Sequence, residues 1–283
     1  MNEAQKYRAI YREIYKNSRK FSAEEADAEI DFVMELLTGK KAHKIWFFDI
    51  VSTDSLHKAQ DIFLQRVETM KPLQHILGQA FFCGNRYFVN ENTLIPRPET
   101  EFLVKECIKR APRNTRKILD IGTGSGCIAV ELAKVFKDSL TVAADISEKA
   151  LETALSNAEL HNAADKIKFI RSDLFENIDE EFDIIVSNPP YIAFSDKNEV
   201  QKEVYDYEPH SALFAEENGF YFYRKIIEVA HNFLTENGLI AFEVGWKQAQ
   251  KVSEMLSEKG FSEINIIKDL DGINRVVSAI KIN

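Results

Sequence analysis

Two short segments contain the residues of this sequence most suited to chemistry. One is the glycine-rich run Gly122-Thr123-Gly124-Ser125-Gly126, which joins an apolar strand-like stretch to a helix-like one. Glycines let a chain turn sharply and bring backbone N–H groups against a ligand at a helix N-terminus. The other is Asn188-Pro189-Pro190-Tyr191, which follows another strand-like stretch. Both segments are therefore predicted to bind or orient a ligand.

Two acids near the glycine run narrow the class of ligand. The run has G-x-G-x-G spacing, not the G-x-G-x-x-G spacing of dinucleotide folds, and Asp120 comes just before it. An acid there repels a pyrophosphate but suits a ligand with a sulfonium and an ammonium group. Asp145 comes 19 residues after Gly126, near the ~20-residue offset at which a carboxylate binds a ribose diol. The pattern favours S-adenosyl-L-methionine over another nucleotide, or over a turn that binds nothing.

The proline tetrapeptide suits the methylation of a planar NH2 group, whose delocalised lone pair makes it a poor nucleophile. The Asn188 side-chain oxygen and the Pro189 carbonyl can accept its two N–H bonds and aim the nitrogen at a methyl carbon. The catalytic gain is then orientation and local electrostatics, not deprotonation by a strong base. The prolines keep the backbone rigid, and Tyr191 can supply a flat apolar wall. The alternative is a proline turn that only ends a strand.

After Pro112 the sequence alternates between short apolar segments typical of β-strands and amphipathic segments typical of α-helices. Apolar strands joined by helices require a mostly parallel sheet that is covered on both faces. Residues 93–283 are therefore predicted to form an α/β, Rossmann-like domain with a seven-stranded, mostly parallel sheet. The predicted strands are Lys117–Ile121, Leu140–Asp145, Ile167–Arg171, Phe182–Ser187, Leu239–Val244, Phe261–Ile267 and Arg275–Ile280.

The first 77 residues show helical periodicity and no strand alternation. Ser22-x-x-Glu25 is a capping box, and Gly39 is placed to end the helix that follows it. Residues 1–77 are predicted to be a small helical-bundle domain, which either only packs or docks a partner. Residues 78–92 are predicted to be a β-hairpin linker, because aromatic runs flank the turn pair Gly84-Asn85.

Composition limits the partners and the compartment. The net charge of -9 lowers the expectation of a nucleic-acid substrate, since such proteins usually carry a basic face. The three cysteines form no C-x-x-C pair, so neither a disulfide framework nor a metal site is expected. The N-terminus lacks the apolar core of a signal peptide, and no apolar run approaches the ~20 residues of a membrane span. A cytoplasmic protein without membrane contact is expected.

The combination of D-x-G-x-G-x-G with N-P-P-Y resembles the S-adenosylmethionine methyltransferases that act on planar amide or exocyclic amino nitrogens. Nearly the whole chain resembles one branch of them, the peptide chain release factor glutamine methyltransferases (the HemK/PrmC family). LIPRPETE is the most specific of the shared segments. These segments are PLQHILG at Pro72–Gly78, LIPRPETE at Leu94–Glu101, LDIGTGSGCIAVELA, SDLF at Ser172–Phe175, SNPPYI at Ser187–Ile192, YEP at Tyr207–Pro209 and FEVGWKQ at Phe242–Gln248.

The resemblance implies a role for each candidate residue. Gly122–Gly126 with Asp120 would hold the methionine part of the donor, and Asp145 its ribose. Asp173 and Leu174 would lie along the adenine. Asn188 would touch the donor and, with Pro189, Pro190 and Tyr191, hold the acceptor glutamine.

The resemblance also implies a reaction and a partner, namely a monomeric enzyme that methylates the N5 amide nitrogen of the glutamine in the GGQ loop of release factors. Two departures from relatives stand out. Leu174 replaces the tryptophan of some relatives, and the stretch after YEP lacks a glycine pair. Three alternatives stay open: an N6-adenine nucleic-acid methyltransferase, a ribosomal-protein glutamine methyltransferase, and a non-enzymatic binding protein with the donor fold.

Overall fold

The computed structural model describes residues 2–48 and 51–282. Met1 and Asn283, the outer ends of the predicted domains, lie outside the described residues. The chain divides into two compact units, Met1–Leu77 and Gly78–Asn283.

Twelve α-helices and eleven β-strands are present in the described residues. The helices are α1 (Glu3–Ser18), α2 (Ala23–Thr38), α3 (Ala42–Phe47), α4 (Thr53–Thr69), α5 (Leu73–Leu77), α6 (Thr100–Arg110), α7 (Cys127–Val135), α8 (Glu148–Leu160), α9 (Lys202–Tyr207), α10 (Glu216–Gly219), α11 (Tyr221–Ala230) and α12 (Ala249–Glu258). The strands are β1 (Gln79–Phe82), β2 (Asn85–Phe88), β3 (Lys117–Ile121), β4 (Leu140–Asp145), β5 (Ile167–Arg171), β6 (Phe182–Ser187), β7 (Ile192–Ala193), β8 (Phe214–Ala215), β9 (Leu234–Glu243), β10 (Phe261–Lys268) and β11 (Asn274–Lys281).

The first unit is helical throughout its described elements. The Ser22 hydroxyl accepts the Glu25 N–H, and the Glu25 carboxylate accepts the Ser22 N–H, so the capping box is confirmed. Gly39 ends α2 with a left-handed φ of 67°. The unit has its own apolar core, and its largest fully buried side chains are Tyr11, Tyr15, Ile30, Met34, Ile45, Trp46 and Phe63.

Strands β1 and β2 form the expected hairpin, and its turn lies one residue earlier than the sequence suggested. Phe82 pairs with Asn85, so the turn residues are Cys83 and Gly84, both with positive φ. Alternation along the strands buries Tyr87, whose hydroxyl donates to Glu131 at 2.5 Å. Within the second unit, the hairpin therefore packs on α7 through one face and exposes Phe81 and Phe88 on the other.

The second unit contains the predicted seven-stranded sheet, in the order β10-β11-β9-β6-β3-β4-β5. The pairs from β9 through β6, β3 and β4 to β5 are parallel, and β11 is antiparallel to both of its neighbours. Helices cover both faces, as a buried parallel sheet requires. Along β3, Ile118 joins the core with α6 and α7, whereas Leu119 joins the core with α11 and α12.

Among the described residues, none of the helices combines the length and the apolar character that a membrane crossing needs.

Candidate functional site

A cavity of about 560 Å³ opens at the carboxyl ends of the parallel strands. Ligand sites in open α/β sheets lie at this edge, where neighbouring connections diverge. The cavity brings together nearly all of the predicted site residues. Those lining it are Gly122, Thr123, Gly124, Ser125, Asp145, Asp173, Leu174, Asn188, Pro189 and Pro190. Among the described residues of the predicted site, Asp120, Gly126 and Tyr191 do not line the cavity.

The glycine loop is fixed by the strand beside it. The N–H groups of Gly122 and Thr123 both donate to the Ala144 carbonyl at the end of β4, at 2.8 and 3.0 Å. Gly126 has a φ of 78°, and a Cβ there would lie 2.8 Å from the Cβ of Ala154 in α8. A glycine is thus required at this point for the close approach of α8, and α7 begins at the next residue, with Cys127 and Ile128 lining the cavity.

Asp120 lies beneath this loop and is fully buried. Its Oδ2 accepts the Thr123 hydroxyl at 2.7 Å and the Ala129 N–H at 3.2 Å. Its Oδ1 is buried and has no hydrogen-bond partner among the described residues. Burial raises the pKa of Asp120 to about 7, although these two hydrogen bonds lower it. Asp120 therefore both braces the loop and retains one unsatisfied acceptor oxygen.

Asp145 connects the glycine loop to the start of α8. Its Oδ2 accepts the Gly124 N–H and its Oδ1 accepts the Ser147 N–H, each at 2.9 Å. Burial raises the pKa of Asp145, and these backbone hydrogen bonds lower it in part. Each carboxylate oxygen accepts more than one hydrogen bond, so Asp145 can also serve a ligand in the cavity that it lines.

Asn188 begins the second half of the site, directly after β6. Its Nδ2 donates to the Thr100 hydroxyl at 3.3 Å. The preceding Ser187 is anchored to β3, because its hydroxyl donates to the Ile121 carbonyl at 2.7 Å. Asn188 thus extends from a rigid strand end into the cavity, with Pro189 and Pro190 beside it.

Tyr191 is held by several contacts behind the cavity. Its hydroxyl lies 3.4 Å from Glu243 Oε1, and its carbonyl accepts Gln248 Nε2 at 2.9 Å. Space around it is tight, since a Cβ on Gly219 would lie 2.2 Å from the Tyr191 oxygen and one on Gly245 would lie 2.9 Å from its ring. This packing positions the tetrapeptide, whereas the sequence suggested that the ring would form a wall of the site.

A buried ion pair supports the opposite wall. Glu208, from the YEP segment, has a fully buried side chain and pairs with Arg97, from LIPRPETE, at 2.5 Å. Its second oxygen accepts the Ile95 N–H at 3.0 Å. Arg97 lines the cavity, as do Leu94, Pro96, Thr100, Pro209, Ser211, Ala212, Phe214, Tyr221 and Phe222. In the sequence, LIPRPETE and YEP were linked only by their shared resemblance to relatives. In the structure these two segments contact each other.

Leu174 lines the cavity and has a left-handed φ of 50°, and its place along an adenine stays a prediction. The loop after YEP contributes aromatic surface without the glycine pair of relatives. Phe214 of that loop lines the cavity, and Phe194 stacks on it with ring centres 5.5 Å apart. Sequence reasoning did not identify five residues that contact or pack around the site, namely Thr100, Glu208, Gly219, Glu243 and Gln248. Most of them lie in the shared segments, which was the one available signal.

Comparison with known proteins agrees with this geometry. Residues 98–206 match the family described as "Methyltransferase small domain". The chain is 43% identical over 249 residues to the release factor glutamine methyltransferase of Flavobacterium psychrophilum, covering 83% of this chain and 86% of that protein. It is 45% identical over 215 residues to the protein of the same name from Lactococcus lactis, covering 76% and 79%. A methyltransferase crystal structure from Pyrococcus furiosus, at 19% identity, shares the fold with a TM-score of 0.54 and covers 80% of this chain and 99% of that one.

Proposed function

The chain belongs to the release factor glutamine methyltransferase family, and we propose that it transfers a methyl group from S-adenosyl-L-methionine to N5 of the glutamine in the GGQ loop of peptide chain release factors. The observation that carries this proposal is one cavity in which the glycine loop and Asn188-Pro189-Pro190 meet. We place the reaction in the cytoplasm, with release factor as the partner. A monomeric state and the absence of nucleic-acid binding stay predictions.

Two acidic residues of the site are suited to the charged and polar groups of the donor. Asp120 does not line the cavity, but its carboxylate lies beneath the glycine loop with one unsatisfied oxygen, so its charge is suited to attract a cation such as the donor's ammonium group. Asp145 lines the cavity and is suited to the ribose hydroxyls. When bound, the donor supplies a methyl carbon made electrophilic by a sulfonium.

The protein's own part in the reaction is to hold the acceptor nitrogen in line with that carbon. Asn188 Oδ1 and the Pro189 carbonyl accept the two amide N–H bonds, which directs the nitrogen's electron density toward the methyl group. The N–C bond forms as the C–S bond breaks, and the nitrogen then loses a proton to solvent. Orientation in a preorganised polar site is the source of rate, because no strong base is needed.

The proposal is tested by incubating the protein with labelled donor and, separately, with release factor, ribosomal protein or DNA. Label should enter release factor alone, and should disappear when the glutamine of its GGQ loop is replaced by alanine. Label in ribosomal protein or DNA would instead support the corresponding alternative. Donor binding without label in any acceptor would support the non-enzymatic alternative.

Asp145 provides a test of the ribose contact. Asp145→Ala should weaken binding of S-adenosylhomocysteine by roughly 1–3 kcal/mol, the usual value of hydrogen bonds to a charged group. Because the alanine also frees the Gly124 and Ser147 N–H groups, Asp145→Asn is the matched variant, since it keeps one acceptor oxygen. Calorimetric titration should rank affinity as wild type, then asparagine, then alanine. Unchanged affinity in folded variants would contradict the assignment.

Asp120 provides a pH test of this electrostatic attraction. Its folded-state pKa is raised to about 7, so the carboxylate is increasingly protonated below that pH and loses its attraction for a cation. Affinity for S-adenosylhomocysteine should therefore fall as pH drops from about 8 to 6. Asp120→Asn should bind weakly at pH 8 and show little pH dependence. A wild-type affinity that is flat across this range would exclude this attraction.

A further inference from the structure

Gln248 is a buried side chain that joins the acceptor tetrapeptide to the connection between β9 and α12. Its amide group is 9% exposed. Nε2 donates to the Tyr191 carbonyl at 2.9 Å, and Oε1 accepts the Gly245 N–H at 3.0 Å. The oxygen of this amide is therefore bound within its own turn, and the nitrogen is bound to the last residue of the tetrapeptide.

The orientation of the Gln248 amide is decided by a backbone group. An N–H only donates, so the Gly245 N–H must face the amide oxygen, and the NH2 group must then face the other way. The Gln248 N–H closes the same turn by donating to the Gly245 carbonyl at 3.0 Å. The reversed amide would set two donors against each other at Gly245 and two acceptors against each other at Tyr191.

Two glycines enclose the hydrogen bond between Gln248 and Tyr191. A Cβ on Gly219 would lie 2.2 Å from the Tyr191 oxygen and 2.7 Å from Gln248 Nε2. A Cβ on Gly245 would lie 2.7 Å from Gln248 Oε1 and 2.9 Å from the Tyr191 ring. Heavy atoms that close must move apart, so a larger residue at either position would displace the bond.

The peptide unit between Tyr191 and Ile192 is held on both sides. Gln248 binds its carbonyl, and its N–H donates to the Leu213 carbonyl at 3.0 Å. Because a peptide unit is planar, these two hydrogen bonds fix its plane. Ser187, just before the tetrapeptide, is held to β3 by its hydroxyl. The tetrapeptide is thus anchored before its first residue and after its last.

The backbone between these anchors has few free torsions, because the rings of Pro189 and Pro190 fix φ at two successive residues. The direction of the Pro189 carbonyl therefore depends on where the next peptide units are held. This carbonyl is the group proposed to accept one N–H of the acceptor glutamine. A displacement of about 1 Å in such a site can cost on the order of 10²-fold in rate. Gln248 thus bears on the reacting geometry without touching the substrate.

We propose that Gln248 is a positioning residue, whose side-chain NH2 group holds the Tyr191 carbonyl so that the Pro189 carbonyl faces the glutamine nitrogen to be methylated. This inference rests on the proposed function for its acceptor. It also gives a shared physical purpose to the glycine and the glutamine of FEVGWKQ, because Gly245 supplies the N–H that orients the Gln248 amide.

The test uses Gln248→Glu, which has the shape of glutamine but is a donor only when it is protonated. A neutral carboxylic acid can accept the Gly245 N–H and donate its O–H to the Tyr191 carbonyl, whereas a carboxylate only accepts and would repel that carbonyl. Burial raises the pKa of such a carboxyl, so the neutral form is regained as pH falls. The kcat of the variant relative to wild type should therefore rise from about pH 9 to about pH 6.

The expected loss is in kcat and not in docking. With release factor as acceptor and saturating donor, Gln248→Glu should lose roughly 10–100-fold in kcat at about pH 9 and regain at least about fivefold at about pH 6. The KM for release factor should change less than about threefold, because docking spreads over a much larger surface. The rate is counted per S-adenosylhomocysteine-binding site, so unfolded protein does not contribute to it.

Two further variants separate the donor group from shape and charge. Gln248→Met keeps the length of the side chain without a donor, and should show the loss at every pH. Gln250→Glu makes the same change on an exposed side chain of α12, and should react like wild type. The ionisable groups around Gln248 and Tyr191 are common to all these proteins, so the ratio to wild type removes their effects. They are Tyr191, Tyr223, Glu243, Arg275, Arg97 and Glu99.

A second readout does not depend on the acceptor. Tyr191-Ile192 is the only Tyr-Ile pair in the sequence. Carbonyl-labelled tyrosine combined with nitrogen-labelled isoleucine therefore gives one NMR signal, from this peptide unit alone. Its carbonyl shift should change between about pH 9 and about pH 6 by more in Gln248→Glu than in wild type or Gln250→Glu, because the hydrogen bond returns as the acid is protonated.

Four results would overturn the inference. They are wild-type kcat in Gln248→Met, a kcat ratio for Gln248→Glu that does not rise as pH falls, a larger change in KM than in kcat, and equal NMR shifts in all three proteins. If Gln248→Glu does not fold at high pH, the kcat of Gln248→Met decides. If wild type methylates no release factor, the proposed function fails, and the NMR comparison still decides whether Gln248 holds the Tyr191 carbonyl.

Discussion

Replacing Asn188 by alanine is expected to lower the single-turnover rate of release factor methylation by ~10²–10³-fold, the usual cost of removing one oriented contact from a transition state. The side chain extends from the end of β6 into the cavity, where its oxygen is available to an acceptor. Docking of a protein substrate spreads over a much larger surface, so the KM for release factor should change little. Rapid-quench measurement with labelled donor separates the two quantities.

Asn198→Ala is the matched control, because Asn198 is exposed in the same connection after the tetrapeptide. It should react like wild type. Circular dichroism and S-adenosylhomocysteine binding should show that both variants are folded. Near-normal turnover by folded Asn188→Ala would mean that the Asn188 side chain does not orient the acceptor. The glutamine amide would then be oriented by backbone groups alone.

Deleting residues 1–77 is expected to reduce methylation of whole release factor at least about tenfold more than methylation of a short peptide that carries the target glutamine. The residues lining the cavity all belong to the second unit, which has its own apolar cores. A glutamine side chain carries little identity, so selection must use contacts remote from the reacting atoms. We propose that the helical unit supplies some of them. S-adenosylhomocysteine affinity should be nearly unchanged in the truncated protein.

A point variant tests the same idea without truncation. Phe47 is 63% exposed and Phe48 is 80% exposed, and large exposed aromatic side chains are typical of interaction sites. Phe47→Ala with Phe48→Ala should raise the KM for whole release factor and leave the peptide reaction unchanged. Equal losses on both acceptors, in either protein, would show that the helical unit only stabilises the catalytic one.

The sheet could be predicted closely from sequence because its strands are short apolar runs between turn residues. Most predicted boundaries agree with the structure to within one residue. Strand β9 is the exception, since it begins at Leu234 and not at Leu239. Its early part contains the polar run TENG, which within the described ladder has no pairing partner on β6. Leu234 before this run pairs with Phe182 and Leu239 after it pairs with Ile184, so the run is an irregularity in the ladder that local pattern does not encode.

The site likewise has a part that local sequence pattern predicts and a part that it does not. The donor loop could be recognised because its glycines and acids lie close together along the chain. The partners that hold the acceptor segment could not, because Asn188 meets Thr100 across 88 residues and Ile95 meets Glu208 across 113. No periodicity links residues so far apart. Asp120 shows a further limit, since its type indicated charge beside a ligand while its burial beneath the loop depended on the whole fold.

The order of strands in the sheet has a consequence for how the protein is made. β3, β4 and β5 are consecutive in the chain and adjacent in the sheet, so the glycine loop and Asp145 can assemble from local pairings with little loop-closure entropy. The acceptor segment also needs Glu243 and Gln248, which contact Tyr191 and leave the ribosome much later. We expect a nascent chain that ends before β9 to have a donor loop but no oriented acceptor site. The new enzyme could thus act only after β9 and Gln248 had been synthesised.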